Sequence, residues 1–273
     1  MEPLRKGRYL ARLAASAEDL RAAQRLRWLC FVTRDGLAGD CAPLDADPLD
    51  ADCRHVLITD AAGRLVCCFR FLTLPGGRDI GRSYSAQFYD LAALESFDAP
   101  MVEVGRFCVH PSASDPDIIR LAWAALTRIV NDGGVQMLFG CSSFGGTEPA
   151  VHADAFAMLQ QRHLAPRRWW PRIKAPHVFR LARALRPGPL DANAPWPQCR
   201  PCCAAIWRWA AGSATMRSSI PCCGPCTSSP GSRLERSRPR GKDCCVRRQA
   251  DPRVAFSVGD KPAPWADRPW MRA

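Results

Sequence analysis

The sequence predicts an α/β domain with a mixed, mostly antiparallel central sheet flanked by helices. Three observations lead there. Apolar runs along residues 8–162 follow the order strand, helix, hairpin, strand, helix, strand, helix. Two of the extended runs are separated only by Ala61-Ala62-Gly63-Arg64, a hairpin connection. The nine-residue run Met101–Val109, closed by His110-Pro111, is apolar except for Glu103 and Arg106, three apart with Gly105 between them. Charged groups are costly to bury, so one face of that strand should open onto a site.

Arg8–Leu13 alternates weakly and is expected as a first strand. Ser16 with Asp19 three residues on starts a helix in the manner of a capping box. Its apolar stripe is Ala22, Ala23, Leu26, Leu29 and Cys30, with Arg21, Arg25 and Arg27 at other positions. Residues 34–54 read as a loop carrying six aspartates, without the glycine turn and closing glutamate of an EF-hand. His55–Asp60 and Leu65–Leu74 read as paired strands, the second with Arg70 at its middle. Arg82–Leu91 is polar and aromatic. Pro116–Val130 is a helix whose stripe is Ile118, Leu121, Ala122, Ala125, Leu126 and Ile129, stopped by Asn131-Asp132-Gly133-Gly134. Val135–Cys141 is a short strand, residues 142–147 a tight loop, and Ala153–Arg162 a further helix.

The 273 residues suffice for one large domain or two small ones, and no run of 18 apolar residues is present. The first residues lack the apolar stretch of a signal peptide, so the expected location is cytoplasmic. The net charge of +12 is unevenly spread: 24 basic and 20 acidic residues precede Pro187, while 14 basic and 6 acidic follow. Because most of the excess lies in the last third, the charge argues against nucleic acid as a partner.

Arg27 with Phe31, the acidic loop ending at Asp50, Arg70 on its strand, and Glu103-x-x-Arg106-Phe107 together resemble the acyl-homoserine-lactone synthase pattern. That group belongs to the broad GNAT-like superfamily. Longer motifs, Gly81–Leu91, Val104–Pro111 and Phe139–Phe144, are similar to the L-ornithine N-alpha-acyltransferase family. The resemblance covers residues 8–186 and makes residues 1–186 a GNAT-like acyltransferase domain. It implies transfer of a 3-hydroxyacyl chain from acyl carrier protein to the α-amine of L-ornithine, giving lyso-ornithine lipid, by direct transfer with no covalent enzyme intermediate. An acyl-homoserine-lactone synthase-like enzyme is the alternative. No cofactor or metal is expected, since the acyl donor is the carrier-protein thioester.

Such a reaction needs a proton acceptor for the ammonium, donors for the tetrahedral oxyanion and acids for a cationic side chain. Glu103 is the candidate base or amine-positioning group, or else half of a structural ion pair with Arg106. Gly105 would allow a bulge that exposes donors. Asp47 and Asp50 are the candidate amine-binding acids, and Arg70 and Arg106 would hold a carboxylate or lock the acids. Arg27 and Ser142 complete the candidate substrate contacts. Coenzyme-A-binding members of the superfamily carry a glycine-rich pyrophosphate loop after the central strand. Here the place reads Pro111–Asp117, with two acids and no glycine, which favours a carrier-protein donor. Arg167, Arg168, Arg172 and Lys174 around Trp169 form a candidate surface for an acidic carrier protein or for peripheral contact with the inner membrane.

Residues 187–273 read differently. Periodicity fades and cysteines arrive in pairs, Cys202-Cys203, Cys222-Cys223 and Cys244-Cys245. The pairs Cys199/Cys202 and Cys223/Cys226 have zinc-ribbon spacing but no hairpin signal around them. Back-translated and read one register off, the segment yields alternating, strand-like sequence. The expectation is a reading-frame change between about Arg183 and Pro201, a disordered tail, and loss of the last strands of the sheet, which would leave an inactive remnant.

Overall fold

A computed structural model describes residues 1–33, 44–143, 166–174 and 253–257. The strands are β1 (Leu4–Lys6), β2 (Tyr9–Leu13), β3 (Arg54–Thr59), β4 (Leu65–Leu74), β5 (Tyr89–Asp90), β6 (Met101–Val109), β7 (Met137–Ser143), β8 (Arg172–Ile173) and β9 (Arg253–Ser257). The helices are α1 (Ala17–Trp28) and α2 (Pro116–Asp132). Seven strands form one sheet in the order β1-β2-β3-β4-β6-β7-β9, and β5 pairs with β8 separately. Within the main sheet only β6 and β7 run parallel, joined through α2, so the sheet is mixed and mostly antiparallel.

Local chemistry sets these boundaries. Ser16 caps α1 by accepting from the Asp19 N–H, and Asp19 in turn binds Arg12 on β2 through both oxygens at 2.7 and 2.6 Å. The β3–β4 hairpin is closed by Asp60, which accepts from the Ala62 and Arg64 amides around Gly63 at φ +78°. Asp115 caps α2 with Pro116 in its first turn, and Gly134 at φ +57° follows the helix end.

The two faces of the sheet bury different things. On one, α2 packs Ile118, Leu121, Ala125 and Leu126 against Val56, Ile58, Phe69, Phe71, Val102 and Phe107. On the other, Ala23, Leu26 and Cys30 cover Leu57, Cys68 and Cys108. Further along that second face, residues of the 77–97 segment (Ile80, Tyr89, Leu94 and Phe97) cover Leu72, Leu74, Met101 and Phe139. Arg70 and Glu103 fall between these two apolar patches, which is where the site forms.

Two details of α1 and β6 depart from simple periodicity. The expected stripe of α1 included Leu29, but Leu29 is exposed while Gln24 and Arg27 are buried. The buried stripe runs Ala23, Leu26, Arg27 and Cys30 at ordinary helical spacing, and Leu29, where a wider π-type turn over Leu29–Thr33 begins, falls just off it. On β6, Cys108 lies opposite Cys68 and Gly105 opposite Arg70, so Arg106 and Phe107 together face the single residue Phe69. This is a β-bulge, and Arg106 adopts φ +53° within it.

The chain after Pro187 is described only at 253–257, which form β9 beside Phe139–Ser143 of β7. The other positions of the expected frame change and disordered tail, its cysteine pairs, and the expected helix 153–162 lie outside the described residues. Among the described residues no helix is long and apolar enough to cross a membrane.

Candidate active site

Three arginines and three aspartates interlock on the second face of the sheet. The turn Pro48–Asp50, capped by Asp47, brings the acids over β4. Asp50 accepts from Arg27 Nη1 and Nη2 at 2.8 and 3.0 Å, Arg70 Nη1 at 2.6 Å, Gln24 Nε2 at 3.0 Å and the Asp47 N–H at 3.2 Å. Asp47 Oδ2 accepts from Arg70 Nη2 at 3.0 Å and Arg106 Nη2 at 2.9 Å. Asp45 pairs with Arg27 Nε at 3.0 Å and lies 3.3 Å from Arg106 Nε. The Arg27 guanidinium also donates to the Asp45 carbonyl. Burial works against the Asp50 charge, but the hydrogen bonds and charge of Arg27 outweigh it and hold the carboxyl well below its usual range. Burial also opposes the Arg27 charge, and the aspartates reverse that, so Arg27 is 1% exposed and cationic.

Glu103 is held by a different set of donors. The Tyr84 N–H donates to Oε2 at 2.7 Å, and the Ser85 N–H and Oγ donate to Oε1 at 2.7 and 2.5 Å. Ser85 Oγ is also 3.3 Å from Cys141 Sγ on β7. Glu103 is 5% exposed, and burial pushes its carboxyl up to about 7 against the Ser85 hydrogen bonds and the Arg70 charge. A carboxyl poised there exchanges protons at neutral pH. The Tyr84 ring lies under both Arg70 and Arg106, with guanidinium-to-centroid distances of 5.8 and 5.3 Å, and so joins the ion network to the Glu103 cradle.

The sheet opens beside this carboxyl. The β6–β7 ladder ends at Val104 and Gly140, although β6 continues to Val109 and β7 to Ser143. The strands approach closely just before they part: a Cβ on Gly140 would sit 2.2 Å from the Val104 carbonyl oxygen. Among the described residues a Cβ on Gly105 would meet nothing within 4 Å. Gly105 therefore borders space left open by the described residues, one position past the last β6–β7 pair.

A GNAT acetyltransferase domain model matches residues 26–124, from the last turn of α1 to the middle of α2. An L-ornithine N(alpha)-acyltransferase of Rhodobacter capsulatus is 35% identical over 176 residues, which cover 61% of this chain and 68% of that protein. The chain belongs to the L-ornithine N(alpha)-acyltransferase family. The enzymes of that name from Brucella abortus and Rhizobium meliloti are 29% and 30% identical, over 64% of this chain and 66% and 63% of theirs. The chain thus spans roughly two thirds of the length of these relatives. Among solved structures, the AHL synthase LasI is 20% identical with a TM-score of 0.37, over 50% of this chain and 72% of that one. FeeM, an N-acyl amino acid synthase from uncultured soil microbes, is 16% identical with a TM-score of 0.38, over 58% and 79%. As a member of the L-ornithine N(alpha)-acyltransferase family, the protein is an N-acyltransferase with a GNAT fold.

The structure rearranges several of the sequence expectations. Glu103 and Arg106 form no ion pair: Glu103 takes neutral donors, while Arg106 turns to Asp45 and Asp47. The bulge is where Gly105 suggested, but the left-handed residue is Arg106. Asp50 and Arg27, expected to touch substrate, are enclosed, and five donors already fill the Asp50 oxygens. They frame the site, whereas Asp47, Asp45 and the 21%-exposed Arg106 lie toward its rim. Trp169 is buried, packing edge-on against Phe97 in the apolar cluster. Arg167, Arg168, Arg172 and Lys174 are exposed around it, with Lys174 donating to the Ala86 carbonyl. The Ser142 side chain lies outside the described residues.

Tyr84, Ser85, Gln24, His55 and Asp45 were missed as parts of the site. The buried His55 ring is 3.2 Å from the Asp50 carbonyl, and burial lowers its pKa. Asp45 was legible in the acidic loop. The Tyr84 and Ser85 contributions run largely through backbone amides, which leave no trace in residue identity.

Proposed function

We propose that this enzyme transfers a 3-hydroxyacyl chain from an acyl-carrier-protein thioester to the α-amine of ornithine. The observation that carries the reading is Glu103, a buried carboxyl raised to about 7 at the point where β6 and β7 part. The α-amine, in its neutral form after release of the ammonium proton to water, attacks the thioester carbonyl, the C–S bond breaks, and the carrier thiolate leaves to be protonated as the thiol. The proton lost by nitrogen passes to Glu103, whose Oε2 accepts only the Tyr84 N–H among the described contacts and so keeps a lone pair. The bulge at Arg106-Phe107 interrupts the ladder beside Gly105, which fits a place for oxyanion donors. Arg106 suits the acceptor carboxylate, and Asp45 and Asp47 suit a cationic side chain.

The donor reading rests on α2. Its N-terminus, the place for a pyrophosphate, is filled by Asp115, which accepts from the Asp117 N–H at 3.0 Å and binds Tyr9 and Arg8. A second anion there meets an existing carboxylate, which favours a carrier protein over free coenzyme A. The exposed Arg167, Arg168 and Arg172 suit an acidic carrier or an anionic membrane face.

The test is incubation with ornithine and 3-hydroxyacyl carrier protein, with the coenzyme A thioester and S-adenosylmethionine as alternative substrates. Formation of the α-amide from the carrier-bound donor is expected. Equal rates from coenzyme A would remove the donor assignment, and a lactone product would move the enzyme to the acyl-homoserine-lactone class.

A further inference from the structure

We propose that Ser85 is a positioning residue that sets the ionisation of Glu103, held in its working rotamer by Cys141. This rests on the reading of Glu103 as proton acceptor, and it adds a device that the reading does not contain. Ser85 is completely buried on the 77–97 segment, yet its side chain makes no apolar contribution to that cluster. Its single hydroxyl proton points at Glu103 Oε1, 2.5 Å away, and its own N–H reaches the same oxygen at 2.7 Å. With that proton committed, Oγ can only accept from Cys141 Sγ at 3.3 Å. Burial pushes the Cys141 thiol up to about 12, so it keeps the proton it must donate. The result is a chain from thiol to hydroxyl to carboxylate. It runs from Cys141 on β7, one residue past the last β6–β7 pair Val104–Gly140, to Glu103 on β6, one residue before it.

The hydroxyl matters because the other groups facing Glu103 are fixed by other partners. Arg70 on β4 is committed to Asp47 and Asp50, and Asp47 is shared between Arg70 and Arg106. Cys53 is held protonated, its thiol raised by burial to about 11. The Tyr84 and Ser85 amides belong to the backbone and survive any substitution except proline. Among the described residues Ser85 Oγ is therefore the one neutral donor to Glu103 that a side-chain change can remove. A hydrogen bond to an ionised group is among the stronger kinds, so without it the carboxyl should hold its proton to higher pH.

The experiment compares wild type with S85A, S85T and C141A in two readouts. One is direct titration of the Glu103 carboxyl by carbon-13 NMR, assigned with E103Q. The other is the pH profile of amide formation. In S85A the carboxyl should titrate about one pH unit higher, and at a fixed pH below the acidic limb the rate should fall roughly tenfold. S85T, which restores a hydroxyl, should bring both back, and C141A should move both in the same direction by less. An unmoved carboxyl titration in folded S85A overturns the proposal, as does failure of S85T to restore it. If the carboxyl moves while the pH profile stays put, Ser85 still sets Glu103, but the assignment of Glu103 as proton acceptor is lost.

Discussion

Replacing Asp50 by Asn should separate the framing role of this residue from a substrate-binding one. The change keeps the side chain's shape and removes its charge. Arg27 and Arg70, 1% and 3% exposed, then lose the carboxylate they share. The new amide NH2 must also face guanidinium or Gln24 donors. Breaking a buried ion pair on one side costs about 3–5 kcal/mol. Asp45 and Asp47 still compensate part of the positive charge, so a value near about 3 kcal/mol is expected. For a chain of this size that corresponds to a fall in Tm of about 10 °C. The pH dependence supplies a second check. The Asp50 carboxyl lies below its usual range in the folded protein, so its stabilisation is complete above about pH 4 and is lost as pH falls further. The gap between wild type and D50N, measured by urea denaturation, should therefore be constant from pH 7 to 5 and narrow below pH 4. A D50N protein within about 1 kcal/mol of wild type at pH 7, with a raised KM for the amine as its only defect, would refute the framing role.

Glu103 should show the opposite linkage. Its carboxyl is raised, so wild-type stability should decline relative to E103Q as pH rises from about 4.3 to 7 and level off above, by a few kcal/mol at most; paired thermal melts across that range test it. G105V should leave Tm within about 2 °C, because a side chain there meets open space, while lowering kcat at least about tenfold by filling the slot; an active G105V would show that the slot is not used. G140A should fail where G105V succeeds, since its methyl collides with the Val104 carbonyl oxygen; equal melting temperatures for the two would contradict the register. W169A should destabilise by about 3 kcal/mol, whereas the double variant R167A/R172A should leave Tm unchanged and raise KM for a carrier-protein donor in low salt.

What the sequence made legible follows from which interactions depend on side-chain identity. The α2 stripe and the β3–β4 hairpin were readable because apolar period and turn chemistry are written in residue types. The arginines and aspartates were readable as a set, yet their division into frame and rim was not. Arg27 was expected among the substrate contacts, although Arg21 and Arg25 on the same helix are exposed. The fold of the acidic turn over β4, which brings Asp45 and Asp50 onto its guanidinium, makes it the most enclosed of them. The Glu103 cradle was the least legible part, because any residue at 84 could supply the same N–H.

The bulge ties these strands of reasoning together. Up to Gly105 the odd-numbered residues of β6 face the site: Met101 packs in its apolar wall and Glu103 lies at its centre. After Phe107 the even-numbered residues do, for Cys108 packs under α1 while Phe107 returns to the α2 side. Arg106 is the residue inserted at the change of phase. In a regular strand it would point into the apolar layer beneath α2, where a guanidinium has no partner. The left-handed turn at φ +53° instead brings its guanidinium to Asp45 and Asp47, on the same face as Glu103. The backbone conformation that is costly for an arginine is thus stabilised by two ion pairs, and it interrupts the β4–β6 ladder beside Gly105. A strand that carries Glu-x-x-Arg in this fold can place both charges in one site only if it is bulged between them.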